Sequence, residues 1–504
     1  MDKYLTYHLL YEQYCQLRPF YFVNQFPATG IVSHPVINST TYRFHYPLVG
    51  VGGFHYLKDA TIFQMALKFI VSAPGKVILF GEHAAVYGKP AIAAAISLRS
   101  YLLVTTLSES RIVKLNFNDI GLNHEWNTDT LPWHLVHLPP KGRLSFVNSL
   151  DPALLEAITP HAEAVSKGLP EEQRKIHVRS AKAFLCLFLS LGSSDNPGYC
   201  YTLRSTVPIG AGLGSSASVC VCLSAALLLQ MQVIPQPYSG QPPEQAKEHA
   251  ELISNWAFMG ELCMHEDPSG VDNAVSAGGK AVAFYRMSSS SPIIAPLTTV
   301  PRLPLLLVDT QQPRSTATQV KKVKDNLSVE TVSIIEQIGK LTGSALELIS
   351  SADFGENGDS NAFERLGILI RENQKLLVSL GVSHVRLERI TELVDVAGIG
   401  WTKLTGAGGG GCVIVLLRPD IDDDTVKELE LQFAAEGYRL YKTAIGADGV
   451  GVFWPGIEGD DSEEIDQERV ENALGVQGIE ESVGAGVHGR QEGWRFWSTY
   501  AKSE

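Results

Sequence analysis

Short alternating runs of apolar and polar residues dominate the first half of the chain, and longer runs with a helical repeat dominate the second. Residues 68–73 and 77–80 read as strands around a Pro74-Gly75 turn, either a β-hairpin or a bent strand pair. Residues 90–97 are small and apolar behind a leading proline, whose missing N–H costs nothing at a helix start, so the pattern predicts a helix. Residues 101–106, 111–117 and 201–205 alternate as strands do. The apolar run 219–229 predicts a buried helix. Residues 248–265 predict another, with Leu252, Ile253, Trp256, Ala257 and Cys263 on its apolar face.

A polar stretch at 288–292 reads as a linker. Beyond it the pattern predicts a strand at 303–309 and helices near 317–350, 361–380 and 383–397. A glycine cluster follows inside 403–417, then a helix at 425–436 and strands near 439–444 and 450–454. Mixed elements in this order predict an α+β protein of two domains, residues 65–292 and 293–455, without an internal repeat.

Both ends depart from this pattern. Residues 1–64 are rich in Tyr, Phe and His, carry little charge and show no amphipathic period. They lack the charged and apolar regions of a secretory signal, and Arg18 and Arg43 are too sparse for a transit peptide. Met65 opens a segment that reads as a natural start, so residues 1–64 are expected to be a non-core extension, an upstream misreading of the start site. Residues 456–504 are expected to form a tail. An acidic run at 458–471 predicts a solvated segment, a glycine-rich stretch follows at 475–493, and Trp494, Phe496 and Trp497 are expected to dock on the body.

The 504 residues suffice for two or three domains at about 150 residues each. A net charge of −13 without any basic stripe argues against nucleic-acid binding. No run reaches the roughly 18 apolar residues of a membrane span. The seven cysteines are scattered, as buried thiols in a reducing compartment are, and Cys220 and Cys222 have the wrong spacing for zinc. Cytoplasm is the expected location.

The chemistry concentrates in a few places. Gly210-Ala211-Gly212-Leu213-Gly214-Ser215-Ser216 precedes the apolar helix, so backbone N–H groups and a positive helix end face a loop that a ligand can approach closely. No Lys follows the last glycine, so this is not a P-loop, and the third glycine comes one residue early for a dinucleotide fingerprint. Spacing alone leaves a tight turn and a polyphosphate cradle both open. Lys76 reads either as a solvated turn residue or as a cation beside a phosphate. Glu261 falls in a last helical turn, where it opposes the helix dipole, and would suit a hard cation such as Mg²⁺ with a serine hydroxyl beside it. Asp272 is either a helix-start residue or a carboxylate orienting an alcohol for phosphoryl transfer. The four glycines at 408–411 form a second close-approach loop, too costly to order as mere filler.

Residues 72–88, 208–218 and 404–412 together resemble the three motifs of the GHMP kinase superfamily. Within it, Gly81-Glu82-His83-Ala84-Ala85-Val86-Tyr87-Gly88 and Pro268-Ser269-Gly270-Val271-Asp272 are most similar to the mevalonate kinases. Galactokinases carry a Gly-Glu-His-Thr-Asp block instead, and phosphomevalonate kinases a Gly-Gly-Tyr block. The resemblance spans about residues 68–454. It implies a ribosomal-protein-S5-like first domain, a ferredoxin-like second domain and a site between them. It implies ATP phosphates wrapped by residues 210–216, with Ser205 and Lys76 as further contacts. Mg²⁺ would be held by Ser216 and Glu261, with Ser215 the alternative serine. Asp272 would take the proton of the mevalonate 5-hydroxyl, helped by Lys76. Glu82 and His83 would line the substrate pocket, with Arg314 and Thr316 near it. One nucleotide-contacting Asn of animal members aligns with Asp119 here. The resemblance also implies a role in isoprenoid and sterol synthesis, a homodimer, and inhibition by longer isoprenoid diphosphates. Another small-alcohol kinase of the superfamily, or a silent ligand sensor on the same fold, are the other readings; the retained Lys76, Ser216, Glu261 and Asp272 speak against a sensor.

Overall fold

The structure, a computed structural model, describes residues 68–497 except for 108–109, 137–148, 266–267, 287–291, 298–299, 352–359, 455–466 and 486–492. The expected extension at 1–64, most of the linker and most of the acidic run lie outside the described residues. The described part belongs to one compact unit.

Its strands form two sheets. The larger contains β1 (Lys68–Phe80), β2 (Pro90–Leu107), β3 (Ile112–Phe117), β4 (Leu122–Asn127), β5 (Gly198–Ser205), β6 (Ala281–Tyr285), β7 (Ile293–Leu297), β12 (Gly451–Phe453) and β13 (Trp494–Phe496). The order is β13-β12-β1-β2-β5-β3-β4, with β6 and β7 continuing from the first half of β2. All pairs are antiparallel except β3 with β5. The smaller sheet contains β8 (Pro304–Asp309), β9 (Gly400–Leu404), β10 (Cys412–Leu417) and β11 (Arg439–Ala444), all antiparallel in the order β11-β8-β10-β9.

Two local expectations are corrected. Residues 90–97 are not a helix but the first half of β2. Ala91, Ala93 and Ala95 pack toward the Val271–Gly278 helix, while Ile92, Ala94 and Ile96 face the other way, into a cluster shared with the second sheet. A strand buried on both faces shows no polar alternation, and its small side chains let that helix approach closely. Residues 68–80 are likewise one strand, with a register shift between Pro74 and Lys76 instead of a turn. A bulge of this kind re-aims side chains. Here a Cβ on Gly75 would meet Leu213 O at 2.9 Å, so Gly75 lets the glycine loop after β5 lie against β1.

One face of the large sheet is covered by the Glu171–Leu191, Ser215–Gln230 and Pro243–Met264 helices. The C-terminal segment covers part of the other face, with Val470, Ile479, Val483 and Trp494 packed on Ile70, Tyr101 and Leu103. The expected docking of the aromatic cluster therefore occurs, and β13 adds a strand beside β12. The buried Arg99 guanidinium ties this side together: it donates to Ser72 Oγ at 2.7 Å and to the carbonyls of Asp448 and Gly449 at 2.7 and 2.6 Å. Leu305, Leu307, Trp401 and Ile414 of the small sheet share an apolar cluster with Val77, Leu79 and Ile96, so the two sheets are joined through a dry contact.

Candidate active site

The β1 bulge, the glycine loop after β5 and the Val271–Gly278 helix converge on one lysine. Lys76 Nζ lies 3.1 Å from Asp272 Oδ2 and donates to Gly212 O at 3.4 Å. Its own backbone N–H donates to Leu213 O at 2.8 Å, which clamps the loop against the strand. Gly210, Gly212 and Gly214 all have φ between 72° and 80°. A Cβ on Gly214 would lie 2.9 Å from Lys76 Cγ, so only glycine lets the lysine pass beneath the loop. Ser215 and Ser216 then open the Ser215–Gln230 helix, whose first N–H groups have no intrahelical acceptors.

Ser216 Oγ lies 3.1 Å from His265 Nε2, and the buried Glu261 carboxylate faces the same hydroxyl. Burial, with Asp272 adding to it and Ser216 and Lys76 opposing, pushes the Glu261 carboxyl up to about 7. Among the described residues no group of three His, Cys, Asp or Glu side chains could hold a metal. A Mg²⁺ ion bridging phosphates needs only one or two protein oxygens, and a buried carboxylate beside a serine hydroxyl fits that requirement.

Glu82 and His83 are buried, not open to solvent. Glu82 is ion-paired with Lys403 of β9, and both side chains are fully inaccessible. Burial pushes the Glu82 carboxyl up and the Lys403 ammonium down, and their mutual attraction opposes both shifts. His83 adopts φ 60°, and its Nε2 bonds Ala407 O at 2.9 Å. Burial holds its imidazole below the usual value, so at neutral pH the ring is uncharged and Nε2–H is the donor.

Arg314 donates to Thr405 O at 3.0 Å and Ala211 O at 3.1 Å, bridging the two glycine loops. A Cβ on Gly411 would lie 2.7 Å from its Cζ. Thr316 opens the Thr316–Asp325 helix as an exposed residue, and no hydrogen bond among the described residues ties its side chain to this cluster. Ser205 ends β5 with its Oγ 3.1 Å from Ser100 Oγ, and its amide donates to Asp119 Oδ2 at 2.6 Å. Asp119 also pairs with Arg204 at 3.1 Å, so its carboxylate is engaged within the protein.

The sequence reading missed Lys403, Thr405 and His265. A signal for the first was present: Glu82 and Lys403 are opposite charges set in otherwise apolar or small-residue blocks.

Known families match this chain. The model of the GHMP kinases N terminal domain matches residues 177–280, and that of the GHMP kinases C terminal matches residues 353–439. Mevalonate kinase of Aspergillus fumigatus is 60% identical over 446 residues, covering 86% of this chain and 82% of that protein. The human mevalonate kinase is 37% identical over 76% of this chain and 94% of its own. A crystal structure of L. major mevalonate kinase in complex with R-mevalonate has the same fold, with a TM-score of 0.52 at 22% identity over 75% of this chain and 96% of that one. The chain belongs to the mevalonate kinase family of the GHMP kinases.

Proposed function

We propose that the chain transfers the γ-phosphoryl group of ATP to the 5-hydroxyl of mevalonate, with Asp272 as the base and Lys76 as the cation beside the reacting oxygen. The observation that carries this is the Lys76–Asp272 pair at 3.1 Å directly beneath the carbonyl of Gly212. Asp272 accepts the alcohol proton, and Lys76 lowers the cost of negative charge on the attacking oxygen. The oxygen bonds to the γ-phosphorus as the bond to the β–γ bridging oxygen breaks, and ADP leaves. Residues 210–216 cradle the phosphates through backbone N–H groups at the helix start, with Ser205 a further contact. Ser216 and Glu261 would hold Mg²⁺, with Ser215 the alternative serine; the ion would neutralise charge on the β- and γ-phosphates.

His83 belongs to the wall of the acceptor pocket, with Glu82 behind it, as does Arg314 between the loops. Thr316 is assigned to the same neighbourhood by its place in the sequence. The family resemblance further supports a cytoplasmic homodimer, with isoprenoid diphosphates competing against ATP. Light scattering and inhibition kinetics with farnesyl diphosphate test those two assignments.

The main assignment is tested by ADP release with Mg·ATP against mevalonate, phosphomevalonate, homoserine and galactose. Turnover confined to mevalonate is the expected result. Turnover with another alcohol, or ATP binding without turnover on any, overturns it.

A further inference from the structure

We infer that Lys403 is a positioning residue for the acceptor pocket, acting through Glu82, and that Glu82 itself does not touch the substrate. Glu82 and Lys403 are fully inaccessible, so neither side chain reaches a ligand as the protein stands. The lysine is satisfied within the protein: besides Glu82 it donates to Leu404 O at 2.9 Å and reaches Ile78 O at 3.5 Å. Three protons meet three acceptors, one from each strand end and one from the first motif.

What the pair holds is the backbone on either side of it. Gly81 has φ 90° and His83 φ 60°, so Glu82 lies between two residues with positive φ. For a non-glycine residue that conformation costs energy and persists only where its surroundings over-determine it. Two anchors do this: Glu82 to Lys403 and His83 to Ala407 O, both ends of the dipeptide bonding the third motif. The phosphate loop has separate anchors, Leu213 O on the Lys76 amide and Ala211 O on Arg314. Thr405 has its own as well, giving and receiving hydrogen bonds with Ile78 at 3.0 and 3.1 Å. Loosening the pair therefore moves His83 and the pocket wall before it moves the ATP cradle.

This inference rests on the reading of His83 as part of the mevalonate pocket, and the experiment separates the two. The variants are Glu82→Gln, Lys403→Met, the double variant and His83→Ala, each measured for thermal midpoint and for both Michaelis constants. Glu82→Gln preserves shape, and the double variant leaves no buried charge unpaired, so these carry the test if Lys403→Met does not fold. Positioning through the pair predicts that folded variants raise the mevalonate KM about tenfold while the ATP KM stays within about twofold, since misplacement of about 1 Å in a pocket can cost that much or more. The double variant should be no worse than the worse single one, because both break the same link.

Normal Michaelis constants in the folded double variant would reduce the pair to a structural feature and overturn the inference. So would an ATP KM that rises as much as the mevalonate KM. Effects that multiply in the double variant would mean that the two residues act separately, with Glu82 on the substrate, and would overturn it too. If His83→Ala leaves the mevalonate KM unchanged, the pocket reading fails instead, whatever the pair variants do.

Discussion

Two lysine–carboxylate pairs each take one member from the chain's first motif, Lys76 and Glu82, and differ in their access to solvent. Lys76 and Asp272 pair at 3.1 Å, and the aspartate side chain keeps a third of its surface in solvent. Lys403 and Glu82 pair with no surface at all. An exposed carboxylate can meet a substrate hydroxyl and pass its proton on to water. A carboxylate sealed beneath a strand end meets Lys403 and backbone groups but no solvent, and its ionisation serves the fold. Both join a lysine to a carboxylate; access separates the pair we propose for chemistry from the pair that anchors the backbone. The difference also separates their energetics, because breaking a pair with one partner still partly in solvent strands less charge than breaking a pair with no surface at all.

The largest effect should come from the open pair. Asp272→Asn should lower turnover about a thousandfold while ATP binding persists, since loss of a positioned base costs roughly 10²- to 10⁴-fold. Its denaturation midpoint should move less than that of a variant that breaks the fully buried pair. Steady-state kinetics and a chemical denaturation curve on the same preparation check both halves. Substantial turnover would remove Asp272 as the base, and a large loss of stability would mean that this pair too is structural. The closed pair should behave the other way round. Lys403→Met should cost about 3–5 kcal/mol of stability by leaving the buried Glu82 carboxylate uncompensated. A midpoint indistinguishable from that of the parent would show that solvent reaches Glu82 and would erase the contrast.

Much of the open pair's setting was legible in the sequence, because it depends on local demands. The loop at 210–216 needs glycine wherever φ is positive or Lys76 passes beneath, and those glycines stand in the sequence at fixed intervals before a serine-opened helix. The charges of the closed pair stood out in the sequence but their pairing did not, since Glu82 and Lys403 are 321 positions apart and only the folding of the chain brings them together. The same limit explains β2. An alanine-rich run behind a proline has good local helix propensity, but between β1 and β6 its backbone groups are claimed by neighbouring strands. Pro74-Gly75 misled for a related reason. A turn signal and a bulge signal use the same residues, and the distinction lies in what approaches: here, the Leu213 carbonyl.

The smallest test asks whether His83, next to Glu82, shares the closed pair's isolation. Its imidazole is held below the ordinary 6.5 by burial, with the Ala407 carbonyl pulling the other way. The unfolded chain therefore takes up a proton near pH 6.5 while the native ring stays neutral. Stability from this group is complete above pH 6.5 and is lost as pH falls through the native value, because unfolding then binds a proton that the fold does not. Glu261, raised by burial, contributes with the opposite sign, and His124, His249 and His265 with the same sign. The informative quantity is thus the difference between parent and variant. His83→Asn keeps a residue that tolerates positive φ and removes the titration. Denaturation midpoints from pH 7.5 down to pH 5 should fall less steeply in the variant, by at most about 1.4 kcal/mol per pH unit for a single proton. Parallel curves would place His83 in contact with water, like the partly exposed pair and unlike the closed one.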